Sequence, residues 1–345
     1  MTNLDSNRLI HSLKTAIAFL IGIFIVRVFA FPQRGQWILI SILVVMCAQS
    51  RVGAMMQKSY MRFLGTVIGA SIAALTLWLA YPNVVWTTLI LCLTTALFSY
   101  IADSPGYFSE AGPLGAVTTV IILVGQDPSY TSVISRFFEI SLGIIIALLV
   151  SRFIWPLHSR TQLRFVVTIT LQDLEKLLQQ LKIFFSPEAE KTFQDYESKI
   201  ISRFANQTKL LDEVLRESFG RTPLALMFND ILQGEREILR CINLMKSALI
   251  NFSSATRLIF NQQEQVQKIY ELSNQLFTSL IEHFNMKSKA LVALNITSDW
   301  KEKMQQELNT LIMSTSDKLA VDLFIFSAGN LITQLNKMNS LVKKA

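Results

Sequence analysis

The chain has 345 residues, 51% of them hydrophobic and only 17% charged, with mean hydropathy +0.39 and net charge +7. Soluble globular chains carry about 25% charged residues, so this composition excludes a soluble protein throughout, and the absence of a concentrated basic patch argues against nucleic-acid binding. Three cysteines (Cys47, Cys92 and Cys241) without paired or CxxC spacing exclude a disulfide scaffold and a cysteine metal site.

The charge deficit is local. Residues 1–156 hold nine Lys/Arg and five Asp/Glu, whereas 157–345 hold 23 and 20. Two domains are expected: a transmembrane domain, 1–156, and an ordinary charged helical domain, 157–345. The first apolar run, Leu9–Phe31, is too long for a cleavable signal and reads as a retained span. Five further apolar segments follow: Trp37–Gln49, Phe63–Ala80, Val84–Ala102, Gly112–Gly125 and Val133–Trp155. A span needs about 20 residues, so the second and fifth are short, about 21 Å each as helix. They hold the same place in two consecutive three-segment halves. Three spans is an odd number, so the second half enters the bilayer inverted, and paired short segments point to a site at the repeat interface.

The third and sixth segments echo each other. Residues 62–75 read RFLGTVIGASIAAL and 136–149 read RFFEISLGIIIALL, six identities in fourteen positions at an offset of 74. Shared Ile, Ala and Leu are generic to apolar helices; the Arg-Phe start and the glycine pair Gly69/Gly143 are not. Gly65, Gly69 and Ala73 recur every fourth residue on one helical face, a small-residue stripe suited to close helix packing.

Short-loop Lys and Arg set orientation. With the N-terminus inside, cytoplasmic segments hold Arg8, then Arg51, Lys58 and Arg62, then Arg152, Arg160 and Arg164; outer segments hold Arg34 and Arg136, with Arg27 at a helix end. Both termini are expected in the cytoplasm. Trp155-Pro156 ends the last span, because proline cannot continue a helix. Beyond it, Leu163, Val167, Leu171, Leu174, Leu178 and Leu181 recur at helical spacing. Ser186-Pro187 opens a second amphipathic helix carrying Phe193, Tyr196, Ile200, Phe204, Leu211 and Leu215. Gly220 and Pro223 mark a stop and a start before a third, with Ile231, Ile238, Ile242 and Met245. Further helices fit 263–286, 298–316 and 318–342. The expected fold class is all-α: a six-segment transmembrane domain built as a 3+3 inverted repeat, then a cytoplasmic antiparallel helical bundle.

Three pieces of the transmembrane part resemble the fusaric acid resistance protein family, which includes the aromatic acid exporters. They are Gly35-Gln36-Trp37 followed by an apolar run, Gln49 and Gly53; Arg62-Phe63-Leu64-Gly65-Thr66-Val67-Ile68-Gly69-Ala70, similar to the family's Arg-x-x-Gly-Thr-x-x-Gly-Ala signature; and Arg136 through Gly143, Val150 and Trp155-Pro156. The resemblance covers residues 1–156. It implies an inner-membrane protein exporting aromatic carboxylates or related toxic organic acids. Long family members look like two such modules in one chain. This chain has one, which implies a homodimer or larger assembly. A periplasmic adaptor protein is a further implied partner, beside the lipid bilayer.

Individual residues carry open alternatives. No Gly-x-x-x-x-Gly-Lys loop exists, so no nucleotide cofactor is expected, and the scattered His11, His158 and His283 suggest neither an enzyme nor a metal site. Lys14 reads as snorkelling to the headgroups. Glu139 either neutralises Arg136 at i, i+3 or couples transport to protons, since desolvation moves a carboxyl toward the working range. Asp103 and Glu110 flank a loop before the short fifth segment and read as solvated loop or gate lip. Arg34 beside Trp37 combines a cation and an aromatic face, as an organic anion would want. Arg62 is either an anion ligand or a positive-inside anchor. Gly65, Gly69, Ala73 and Gly143 read as packing positions. The leading expectation is an export permease for small aromatic acids; a membrane-anchored structural or regulatory scaffold and a passive anion channel are the alternatives.

Overall fold

A computed structural model describes residues 3–29, 31, 35–48, 51–104, 107–125, 128–183, 187–218, 220, 222–253, 260, 263–285 and 315–343. Every regular element among the described residues is helical. The chain divides into two compact units, Met1–Ser159 and Arg160–Ala345.

The first unit holds α1 (Asn3–Phe29), α2 (Gln36–Ala48), α3 (Val52–Leu79), α4 (Val84–Ala102), α5 (Ala111–Val124) and α6 (Tyr130–Phe153). Its turns follow local chemistry. The Asn83 side chain accepts from the Val85 and Trp86 amides at the start of α4, and Ser129 accepts from Ser132 N at the start of α6, each satisfying donors that a helix N-terminus leaves unpaired. Gly35 has φ +60°, a left-handed conformation open to glycine. A Cβ there would also stand 2.5 Å from Val26 Cγ2, so glycine lets α1 and the start of α2 approach. α1, α3, α4 and α6 are long and apolar enough to cross a membrane, while α2 and α5 are the shorter apolar helices.

α3 begins eleven residues before the apolar segment expected from Phe63. Gln57 and Lys58 are good helix formers and interrupt hydropathy without interrupting the helix. Arg62 therefore does not open the helix; it lies ten residues into α3 with its side chain buried. Lys14 is a second correction: it does not snorkel. It is fully buried, and its Nζ donates to Ser151 O in the last turn of α6 at 3.3 Å. A helix C-terminus presents unpaired carbonyls that favour a cation.

The helices of this unit pair in a regular way. α3 lies along α5 and α2 along α6; α4 packs on α5 and α1 on α2; α1 also touches α6 and α4 touches α3; α3 and α6 pack on each other. Exchanging the labels of the two halves (1 with 4, 2 with 5, 3 with 6) returns these pairs; α2 also packs on α3, a contact that α5 and α6 do not match. α3 and α6 run antiparallel. Val52 N donates to Leu157 O just past the end of α6, at 3.2 Å, and Val133 near the start of α6 packs against the Ala73 and Leu77 cluster of α3.

The second unit contains α7 (Ser159–Gln180), which begins one residue before the unit's boundary, α8 (Pro187–Glu217), α9 (Pro223–Ile250), α10 (Glu264–Phe284) and α11 (Thr315–Lys343). Thr222 caps α9 through Ala225 N, with Pro223 in the first turn, where its missing N–H costs nothing. One core draws on all five helices and contains Leu163, Leu174, Phe193, Ile238, Phe277 and Leu331. The helix expected over 298–316 lies almost wholly outside the described residues. By length and composition α11 could also cross a membrane, but its apolar stripe, including Phe324, Leu335 and Met338, is covered by this core.

Within the core, Glu235 is fully buried. Its Oε2 accepts from Gln207 Nε2 at 2.6 Å, and the same nitrogen lies 3.1 Å from Thr170 Oγ1. The other oxygens of Glu235 and Gln207 lack hydrogen bonds. Burial holds the Glu235 carboxyl well above its ordinary 4.5, opposed by the Gln207 bond. The stability from this group is complete below pH 4.5 and is lost as pH rises toward the folded value. Glu235→Gln should therefore stabilise this unit near neutral pH by about 1–3 kcal/mol, because the new amide can also pair the free Gln207 oxygen. Thermal unfolding of the full chain across pH should show the gain shrinking toward pH 4.5.

Candidate anion site

The short helices α2 and α5 bring their first turns to one place. Trp37 of α2 and Leu114 of α5 line the same cavity, of about 20 Å³, with Arg62 and Thr66 of α3 and Arg136 and Ile140 of α6. Val117, Thr118 and Ile121 of α5 complete the lining. The Trp37 amide at the start of α2 is taken by Glu139 and the α5 lining runs from Leu114 to Ile121, so it is the two arginines that favour an anion here. Such a volume accepts about one water-sized species, so an organic acid enters only if the helices part.

Arg62 is the centre of the site. It is 6% exposed, and its Nη2 donates to Ser41 Oγ at 3.2 Å. Its Nε makes no hydrogen bond, and among the described residues no carboxylate pairs with it. A buried guanidinium without a counter-charge is costly, and its planar fork suits a carboxylate. Arg136 is placed differently, with its Cζ 4.3 Å from the centroid of the Trp37 ring. Glu139 is 2% exposed, and its Oε2 accepts from Trp37 N at 3.3 Å. It thus caps α2 while lying one turn from Arg136 on the same helix. Among the described residues, Arg62 and Arg136 against Glu139 leave the cluster one formal positive charge.

The packing glycines hold this arrangement together. A Cβ at Gly65 would meet Ala111 O at 2.6 Å, and one at Gly69 would meet Gly115 O at 2.5 Å, both on α5. A Cβ at Gly143 would meet Ile38 O of α2, also at 2.5 Å. Ala73 is fully buried in the cluster with Ile122 and Leu123. Thr119 Oγ1 lies 3.1 Å from Gly69 O, tying α5 to α3.

Of the residues singled out in the sequence, Trp37, Arg62 and Glu139 come together here. Asp103 is exposed at the end of α4, and Glu110 closes the 3-10 turn Tyr107–Glu110; neither lines the cavity. Arg34 lies outside the described residues. The cavity joins the short segments, where the paired-segment pattern puts the chemistry, to the Arg62 stretch, where Arg62 reads as an anion ligand or an anchor and the small residues as packing. Ser41 and Thr118 were missed. Their signal is a second offset, 77, that relates α2 to α5 as 74 relates α3 to α6: Gly69 faces Gly115 O and Thr118 Cβ, and Gly143 faces Ile38 O and Ser41 Cβ. Phe63 and Phe137, equivalent under the first offset, touch each other with ring centroids 5.8 Å apart. No His/Cys/Asp/Glu cluster suited to a metal occurs among the described residues.

The model of the fusaric acid resistance protein family matches residues 8–339. The match runs through both units, well beyond the 1–156 over which the sequence motifs carry the resemblance. The inner membrane protein YeeA of Escherichia coli K12 is 24% identical over 315 residues, covering 88% of this chain and 84% of that protein. Together with the apolar helices, these similarities support a multi-pass membrane protein. The chain belongs to the fusaric acid resistance protein family.

Proposed function

We propose that this protein is a secondary transporter exporting small organic acids, aromatic carboxylates foremost, through the cavity between Arg62 and Arg136. The observation that carries the reading is Arg62: a buried guanidinium with no described counter-charge, lining a cavity shared with Arg136 and both short helices. The first unit works as a 3+3 inverted repeat in the membrane, a reading supported by the near-symmetric helix pairing, the two offsets and the Phe63–Phe137 contact. In this proposal both termini and the second unit are cytoplasmic. The working form is a homo-oligomer, and a periplasmic adaptor carries the substrate onward. The test uses purified protein in liposomes loaded with labelled benzoate. Saturable release that competes with other aromatic acids is the expected result; release no faster than from empty liposomes sinks the proposal.

Glu139 is the proposed coupling carboxylate. Facing it are Arg136 on its own helix and the Trp37 amide on α2. Protonation would release both and add positive charge to the cavity as the anion arrives. Glu139→Gln keeps an oxygen for the Trp37 amide and removes the charge. The variant should still exchange benzoate between the two sides yet lose at least about tenfold of its response to an imposed pH gradient, the scale of one removed charge interaction. Benzoate counterflow with and without the gradient measures both; an undiminished pH response assigns coupling elsewhere.

A further inference from the structure

The cavity is nearly symmetric under the two offsets, and its departures from symmetry are informative. Three pairs of equivalent residues line it from both halves: Arg62 with Arg136, Thr66 with Ile140, and Trp37 with Leu114. The rest of the lining comes from α5 alone, as Val117, Thr118 and Ile121. Their counterparts on α2 are Ile40, Ser41 and Val44, none of which lines it. The arginines are unequal in the same sense. Arg62 is hydrogen-bonded to Ser41 on α2, whereas Arg136 stacks over Trp37 and is not held by Thr118. Thr118, the counterpart of Ser41, gives its own proton to Leu114 O at 2.8 Å, which leaves a lone pair able to accept from a guanidinium. Both hydroxyl residues stand at the close approaches of the packing glycines, Ser41 at Gly143 and Thr118 at Gly69.

We infer that Ser41 and Thr118 are matched latches, and that the cavity exchanges between an α5-side form with Arg62 held by Ser41 and an α2-side form with Arg136 held by Thr118. The inference rests on the inverted repeat proposed above. Alternating access in an inverted repeat rocks one half against the other around a fixed site, so we take the asymmetry of one state as the mirror of its opposite. The structure is the α5-side form. In the α2-side form Arg62 leaves Ser41, Ile40 and Val44 turn to the cavity, and Val117 and Ile121 leave it. An anion held between the arginines would thereby pass from one side of the repeat to the other.

The test needs no transport readout. Cys47, Cys92 and Cys241 are replaced by alanine, single cysteines are placed by Ile121→Cys or Val44→Cys, and N-ethylmaleimide labelling is timed in liposomes. A thiol reacts as thiolate, so labelling is fast in a wetted cavity and slow against lipid or packed helix. In the parent, position 121 should label faster than 44. Ser41→Ala frees Arg62 and should move the ratio of the two rates toward 44 by about tenfold, as expected for a charged hydrogen bond. Thr118→Val should move it the opposite way by a similar factor. Faster labelling at 44 in the parent, or a ratio unmoved by both variants, overturns the latches. If Arg62→Ala still abolishes export in that case, the anion site survives and the exchange alone fails.

Discussion

If the protein exports organic acids as proposed, Arg62→Ala should lower export of benzoate by at least about 100-fold while leaving the protein folded. Breaking a buried charge pair costs about 3–5 kcal/mol, and each 1.4 kcal/mol is about tenfold. The only described hydrogen bond of Arg62 goes to Ser41. Removing the side chain deletes one charged hydrogen bond and relieves the burial of an unpaired guanidinium. The melting temperature should therefore stay level or rise. That combination separates a binding residue from a structural one, since a structural arginine would lose both stability and activity. Arg62→Lys should recover part of the activity, because lysine keeps the charge and loses the fork that grips a carboxylate on two sides. Initial rates in liposomes and thermal melts in detergent measure the two effects. Full activity in the alanine variant would mean that the anion does not touch this residue.

Gly69→Leu and Gly143→Leu should each destabilise the first unit by about 3 kcal/mol or more. The added Cβ alone would stand 2.5 Å from a backbone oxygen, Gly115 O in one case and Ile38 O in the other. Backbone cannot turn aside as a flexible side chain can, so α3 must leave α5, or α6 must leave α2. Overpacking of this kind costs about 1–3 kcal/mol for a few methylenes, and leucine adds more than that. The two substitutions should have similar effects, because the glycines play the same part in the two halves. Val120→Leu, on the exposed face of α5, serves as the control and should change the melt little. If Gly143→Leu melts like the parent, α2 and α6 are not held by this contact.

Sequence periodicity reached the elements because it reports which residues are apolar and how often. Leu163, Val167, Leu171, Leu174, Leu178 and Leu181, selected by spacing, are all fully buried in α7 and the turn after it. The six apolar segments correspond to α1–α6 within a few residues, apart from the start of α3. That miss had a physical cause. Hydropathy drops at Gln57 and Lys58, but helix formation depends on backbone hydrogen bonds and propensity, which both residues support. The echo at 62 and 136 was also legible, since it is written in residue identities. Its companion at offset 77 was not. Ser41 and Thr118, or Trp37 and Leu114, share no identity, and their equivalence emerges only from which backbone each glycine faces.

By itself, then, the sequence determined that the chain is helical, apolar in its first half, marked by an echo between residues 62–75 and 136–149, and stocked with arginines and close-packing glycines. Only the tertiary structure decided where the buried cations sit. Arg62 could have been a headgroup anchor, and Lys14 could have reached for water. Burial put Arg62 beside Ser41 without a described counter-charge, and Lys14 against the Ser151 carbonyl. The role of a charge depends on the groups within a few ångströms of it, and those come from helices far away in sequence.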